Sequence, residues 1–210
     1  MAFKEGGRTL IVWRHGQTAH NASGIWQGQL DTPLSDKGRE QALTAAGALA
    51  AYNPSVIVSS DLQRAADTAR ALGSRIGVQV RYDERLREVH AGLWQGMTAG
   101  DVAEQFPEEN AALAAGEDIR RGTHGENLRQ VAERTRAAVD ELLADVAPGH
   151  CAVVATHGVS GRAIVASLVG LDQRLAWRCI AGLHNCHWAE LHEYDSTWRI
   201  VAWNVGTNPG

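Results

Sequence analysis

The feature that most constrains this chain is a set of four short apolar runs, at residues 10–13, 56–58, 78–80 and 152–155, each followed by a polar or glycine-bearing loop. Runs this short and predominantly apolar read as strands buried on both faces, the pattern of a parallel sheet covered by helices. Helical periods lie between them. Ser35 is placed to cap a helix whose Ala42, Ala45, Ala46 and Leu49 share one face, and Leu128, Val131, Ala132, Val139, Leu142 and Val146 stripe a longer one. Residues 187–192 and 198–205 read as a closing antiparallel hairpin. The alternation predicts an α/β fold, a three-layer α/β/α sandwich with a mainly parallel central sheet. No repeat, low-complexity tract or linker divides the 210 residues, so one domain over 1–210 is expected, with a small helical cap within about 95–127.

Composition removes several function classes. A net charge of -4 and a pI near 6.1 offer no basic surface for nucleic acid or anionic lipid. The polar N-terminus is followed by only a short apolar run, so neither a signal segment nor a membrane span is expected and the chain reads as cytoplasmic. Cys151, Cys179 and Cys186 are an odd set without a CxxC pair, which predicts reduced, structural thiols. His184, Cys186, His187 and His192 crowd one stretch, but alternation along a strand would divide them between two faces, so no metal site is expected there. No GxxxxGK[ST] loop supports a kinase or nucleotide hydrolase.

In parallel sheets ligands bind beyond the carboxyl ends of the strands. The first strand runs into Arg14-His15-Gly16-Gln17-Thr18-Ala19-His20-Asn21. The fourth runs into Thr156-His157-Gly158 at the start of a helix, whose backbone N–H groups would point at the same crevice. The loop Ser59-Ser60-Asp61-Leu62-Gln63-Arg64 brings a second arginine to that edge. Two guanidiniums, two imidazoles and helix N-termini make a site for a tetrahedral dianion, because the planar fork of arginine matches phosphate oxygens bidentately. Phosphoryl transfer needs positioning and charge neutralisation above all, and here Arg14 and Arg64 would do without magnesium or any other cofactor. Neutral His15 would attack phosphorus, and His157, if charged, would stabilise the transferring oxygens. Glu88, in the loop Leu86-Arg87-Glu88-Val89-His90-Ala91-Gly92-Leu93-Trp94-Gln95-Gly96, is the candidate general acid, its proton favoured by part-burial beside Trp94.

The segments Arg14-His15-Gly16-x-Thr18-x-x-Asn21, Ser60-Asp61-Leu62-x-Arg64-Ala65-x-x-Thr68-Ala69, Leu86-Arg87-Glu88 with Gly92-x-Trp94-x-Gly96, and Thr156-His157-Gly158 together resemble the histidine phosphatase superfamily, in its phosphoglycerate mutase-like branch. The resemblance spans nearly the whole chain in the family's order. It implies the family's α/β/α fold, His15 as the phosphorylated residue, and Arg14, Asn21, Arg64 and His157, with Gly158, as the phosphate pocket. It also implies Glu88 as proton donor and Gln27 and Gly28 at the substrate entrance. Gly125-Glu126-Asn127-Leu128 departs from the usual Gly-Glu-Ser-Leu at Asn127, which caps a helix equally well, while Glu126 reads as a helix-start residue facing the dipole.

What reaches the phosphohistidine second separates a phosphatase from a mutase. Between Trp94 and Glu126 the basic side chains are Arg120, Arg121 and His124, outnumbered by Asp101, Glu104, Glu108, Glu109, Glu117 and Asp118. That segment would repel a second phosphate, so hydrolysis of a small phosphorylated metabolite is favoured over phosphoglycerate mutase activity and over non-catalytic binding of a phospho-ligand or protein. The stretches around Gln27 to Thr32 and Arg85 to Gly96 look closest to actinobacterial glucosyl-3-phosphoglycerate phosphatases, with sugar phosphates as the broader class. Arg120, Arg121 or His124 would then hold a substrate carboxylate or hydroxyl. Two of His20, His90, His124 and His184 at most are expected to line the pocket, and Trp26 and Trp94 stand out among the seven tryptophans for lying in or beside the matched segments. Nothing in the sequence precludes a homodimer.

Overall fold

The computed structural model describes residues 6–207. In chain order the elements are β1 (Thr9–Arg14), α1 (Ala19–Ala22), α2 (Asp36–Leu49), β2 (Val56–Ser59), α3 (Gln63–Ile76), β3 (Val80–Tyr82), α4 (Ala99–Gln105), α5 (Pro107–Ala114), α6 (Leu128–Ala144), β4 (Cys151–Thr156), α7 (Gly158–Leu168), α8 (Gln173–Cys179), β5 (Trp188–Tyr194) and β6 (Thr197–Val205). The sheet order is β3-β2-β4-β1-β5-β6, with the first four strands parallel and the terminal hairpin antiparallel. This is the expected mainly parallel sheet, flanked by helices.

Strand parity sorts the core into two halves. In β1, Leu10 and Val12 point to one face and pack with Leu142, Ile164 and Leu191, on the side of α6 and α7. Ile11 and Trp13 point to the other and pack with Ala42, Leu49 and Leu72, on the side of α2 and α3. All four β1 side chains are fully buried, each contributing on the order of 1.5–3 kcal/mol of hydrophobic stabilisation. Ser35 caps α2 by accepting from Gly38 N, and Asn127 caps α6 in a reciprocal box with Gln130.

The third strand starts two residues later than its apolar run suggests. Gly77 takes a left-handed conformation at φ 73° and Val78 N–H bonds back to the Gly73 carbonyl, so Val78 still belongs to the end of α3. Within 95–127, α4 and α5 and the loop after them lie beside the sandwich, where Trp26, Met97, Phe106, Leu113 and Ile119 surround Ala91, Trp94 and Val102. All three cysteines are free thiols; burial pushes Cys151 and Cys186 up to about 12. Among the described residues no helix is long and apolar enough to cross a membrane, and no three metal-ligating side chains gather.

Candidate active site

The register of the central strands assembles the site. Arg14 pairs with Thr156 across β1 and β4, so the next residue on each strand, His15 and His157, leaves the sheet side by side, with ring centroids 5.1 Å apart. Ser59 pairs with Ala155 across β2 and β4, which sets Ser60 against His157 and carries the chain into α3 and Arg64. The loop after β1 lies pressed against the start of α2. A Cβ on Gly16 would collide with the Gly38 carbonyl, and one on Gly38 with the Gln17 carbonyl, so both positions need glycine for close backbone approach.

The His15 ring is buried, and its Nδ1 lies 2.6 Å from the Gly16 carbonyl oxygen. A carbonyl only accepts, so Nδ1 carries the proton and Nε2 keeps its lone pair. Burial first, then the Arg64 and Arg14 charges, hold its pKa well below the ordinary 6.5. His15 is therefore a neutral, oriented nucleophile. Asn185 Nδ2 donates to the His15 carbonyl and to Asn21 Oδ1, and Thr18 N–H also donates to that oxygen, which leaves the Asn21 amide nitrogen as its ligand donor.

Arg64 is 1% exposed, and burial brings its pKa down to about 10, so it stays charged at neutral pH. It donates from Nη1 to the Leu30 carbonyl, from Nη2 to the Gly28 carbonyl and from Nε to His157 Nδ1. Because Arg64 Nε can only donate, His157 Nδ1 accepts and Nε2 carries the ring proton to Ser60 Oγ at 2.9 Å. Burial, with Arg64 and His15 next, holds His157 well below 6.5. His157 is thus a neutral ring that braces Arg64, and the charged form in which it would stabilise the transferring oxygens is not the one this geometry favours. Arg14 donates from Nη1 to the Leu183 carbonyl, and its buried Nε has no partner among the described residues. Gly158 opens α7 beside this guanidinium, where a Cβ would sit 3.7 Å from Arg14 Nε and from Glu88 Oε2.

Glu88 is placed by the N-terminus of α7. Its carboxyl accepts from Val159 N at 3.1 Å, Ser160 N at 3.1 Å and Val89 N at 3.0 Å. Trp94, expected against it, packs instead between Trp26 and Phe106, with centroids 5.2 and 6.3 Å away, in the cluster beneath α4 and α5. The Glu88 main chain is gripped by Arg134 of α6, a residue the sequence reading missed. Arg134 donates to the carbonyls of Arg85 and Arg87 at 2.7 Å and of Glu88 at 2.9 Å, while Glu126 holds its Nε at 2.7 Å and accepts from His90 N. Glu126, directly before the Asn127 cap of α6, is the ion-pair partner of Arg134. No local signal reveals this bracket, because the carbonyls that Arg134 holds lie 46 to 49 residues away.

Arg14, His15, Asn21, Gln27, Gly28, Arg64 and Glu88 all line one cavity of about 250 Å³, with Gly24, Ile25, Trp26, Val89 and Val159. His157 and Gly158 stand behind it. His20, His90, His124, His184, Arg120 and Arg121 are not among the lining residues. Arg121 is fully buried, with its guanidinium 5.3 Å from the Trp177 ring centroid. The arrangement offers cationic and amide donors to an anion, one unprotonated imidazole nitrogen and a carboxyl group, which is chemistry for moving a phosphoryl group.

Comparison with known proteins agrees. The sequence model of the histidine phosphatase superfamily (branch 1) matches residues 10–206. A Mycolicibacterium vanbaalenii protein named glucosyl-3-phosphoglycerate phosphatase is 43% identical, over 94% of this chain and 95% of its own. The Mycobacterium tuberculosis protein of the same name is 41% identical, with the same coverage. Among solved structures, mycobacterial glucosyl-3-phosphoglycerate phosphatase in complex with VO3 superposes with a TM-score of 0.88 at 42% identity, covering 95% of this chain and all of that one.

Proposed function

The chain belongs to the histidine phosphatase superfamily, branch 1, and from that premise we propose that it hydrolyses glucosyl-3-phosphoglycerate, or a closely similar phosphorylated sugar acid, through a phosphohistidine on His15. The observation that carries the reading is the His15 ring: Nδ1 is committed to the Gly16 carbonyl, and burial with the charges of Arg64 and Arg14 leaves Nε2 unprotonated with its lone pair free.

Arg14, Arg64 and the Asn21 amide take the phosphoryl oxygens. His15 Nε2 attacks phosphorus, the P–N bond forms as the P–O bond to the alcohol breaks, and Glu88 passes a proton to the departing oxygen. Water then attacks the phosphohistidine, giving its proton to Glu88, and the P–N bond breaks to return the electron pair to Nε2. The arginines supply the charge neutralisation, so the reading includes no metal. The substrate follows the names of the two mycobacterial relatives at 43% and 41% identity. Hydrolysis is favoured over mutase transfer because Arg120 is exposed and Arg121 is buried against Trp177, so neither stands at the cavity as a clamp for a second phosphate. The three free thiols fit a reducing cytoplasm.

The test is phosphate release in EDTA by wild type and His15→Ala, on glucosyl-3-phosphoglycerate, 3-phosphoglycerate and p-nitrophenyl phosphate. The expected result is metal-free turnover by wild type, fastest on the glucosylated ester, and none by the variant. Turnover that survives in His15→Ala, or needs added metal, removes the reading.

A further inference from the structure

The cavity lining is of two chemical kinds. Arg14, His15, Asn21, Arg64 and Glu88 make a polar floor that suits a phosphoryl group, while Ile25, Trp26, Val89 and Val159 are apolar residues for which a phosphoryl group has no use, the consecutive Ile25 and Trp26 forming a wall segment of their own. We propose that Trp26, together with the Gln27 amide, forms the subsite for the alcohol half of the ester and selects a ring-shaped polyol over an acyclic one. The proposal rests on the phosphohydrolase reading above and deepens it.

Trp26 is positioned before any ligand arrives. Its N–H donates to the Met97 carbonyl and its own carbonyl accepts from Gly96 N, each at 2.8 Å, and Ile25 forms a bridge with Thr98. Its indole packs against the fully buried Trp94, with centroids 5.2 Å apart and planes tilted by 60°, yet Trp26 itself is only half-buried and borders the cavity. A fixed aromatic surface of this kind costs little ordering entropy on binding. The negative face of an aromatic ring attracts positively polarised C–H groups, which a sugar ring presents across its faces while its hydroxyls project from the rim. Gln27 supplies the polar complement. It is 8% exposed, and its Oε1 lies 2.9 Å from Thr18 Oγ1, which leaves the amide nitrogen to donate to a hydroxyl. An acyclic phosphate ester fills the floor and leaves the wall uncovered.

The experiment compares Trp26→Leu and Trp26→Phe with wild type on glucosyl-3-phosphoglycerate and on 3-phosphoglycerate, the same ester without the ring. Trp26→Leu should lose about tenfold in kcat/KM on the glucosylated ester, mostly through KM, and change less than about twofold on 3-phosphoglycerate, with Trp26→Phe retaining most of the wild-type preference. Equal losses on both esters, or no loss on either, overturn the proposal. A second measurement needs no variant: the dephosphorylated alcohol, glucosylglycerate, should inhibit wild type at concentrations about tenfold lower than glycerate does, and equal inhibition by the two also overturns it. Wild-type rates are read first, so failure to release phosphate from any ester removes the phosphohydrolase reading, whereas turnover without ring preference removes only the subsite.

Discussion

The floor of the cavity and its wall are built by different kinds of structure. The floor is organised by the central strands: His15 follows β1, and register with β4 sets His157, which braces Arg64 from behind the floor, 5.1 Å from it. The Trp26 part of the wall hangs from loops, pinned to Met97 and Gly96 and backed by Trp94, which packs on Phe106 under two short helices. Buried sheet positions fix geometry closely, which reaction at phosphorus demands, while the loops are free to fit whatever alcohol the enzyme takes. On the proposed subsite, chemistry and selectivity are separated in space, and changes to floor and wall should differ in kind as well as in size.

The largest effects belong to the floor. Glu88→Gln keeps the shape and removes the transferable proton, so kcat/KM on alkyl esters, which reports the phosphorylation of His15, should fall by about 10²–10⁴-fold, with a much smaller loss of kcat/KM on p-nitrophenyl phosphate, whose leaving group needs little protonation. A uniform loss across leaving groups would break the assignment of Glu88 as acid. Arg64→Met should cost about 10²–10³-fold on every ester. It also carries a pH signature. Burial and the two arginine charges hold His15 well below 6.5, so wild type keeps its nucleophile unprotonated into the acid range. Removing one positive neighbour raises the His15 pKa and should move the acid limb of kcat/KM to higher pH. An unmoved or lowered limb would contradict the electrostatic account.

Arg134→Met tests whether the floor depends on more than its lining. It leaves every cavity residue in place but frees the carbonyls of Arg85, Arg87 and Glu88, and it should lower kcat by about 10- to 100-fold with KM little changed. Loss of stability without a change in kcat would make Arg134 a scaffold residue only. At the small end, Arg120→Ala should alter kcat/KM by less than about twofold on any ester, since this exposed side chain is not at the cavity. A selective loss on phosphoglycerate esters would return the cap to the account as a carboxylate site.

The same division governs what could be read from the sequence. Strand-end residues announce themselves: a buried apolar run followed at once by Arg14 and His15, or by His157, fixes both element and location. The burial of β1 on both faces and the caps at Ser35 and Asn127 are likewise local, and the structure carries them as expected. What escaped depends on distant partners. Glu88 was expected against Trp94 because the two are close in sequence, yet the N-terminus of α7 holds its carboxyl from 71 and 72 residues away. The charge state of His157 depends on complete burial beside Arg64, which no linear pattern encodes. The start of β3 slipped for a backbone reason, the return of Val78 N–H to Gly73, which apolar content at 78–80 conceals.

The central claim is that the phosphoryl group rests on His15 Nε2 between two half-reactions. It is tested most directly by mixing the enzyme with glucosyl-3-phosphoglycerate, quenching in alkali within one turnover, and locating the modification by peptide mass spectrometry. The account predicts a single acid-labile phosphoryl group on the peptide carrying His15, absent from His15→Ala and accumulating in the Glu88→Gln variant with p-nitrophenyl phosphate, where hydrolysis lacks its base. Wild type that turns over with no phosphorylated His15 peptide at any quench time, or with the phosphoryl group on His157, would contradict it.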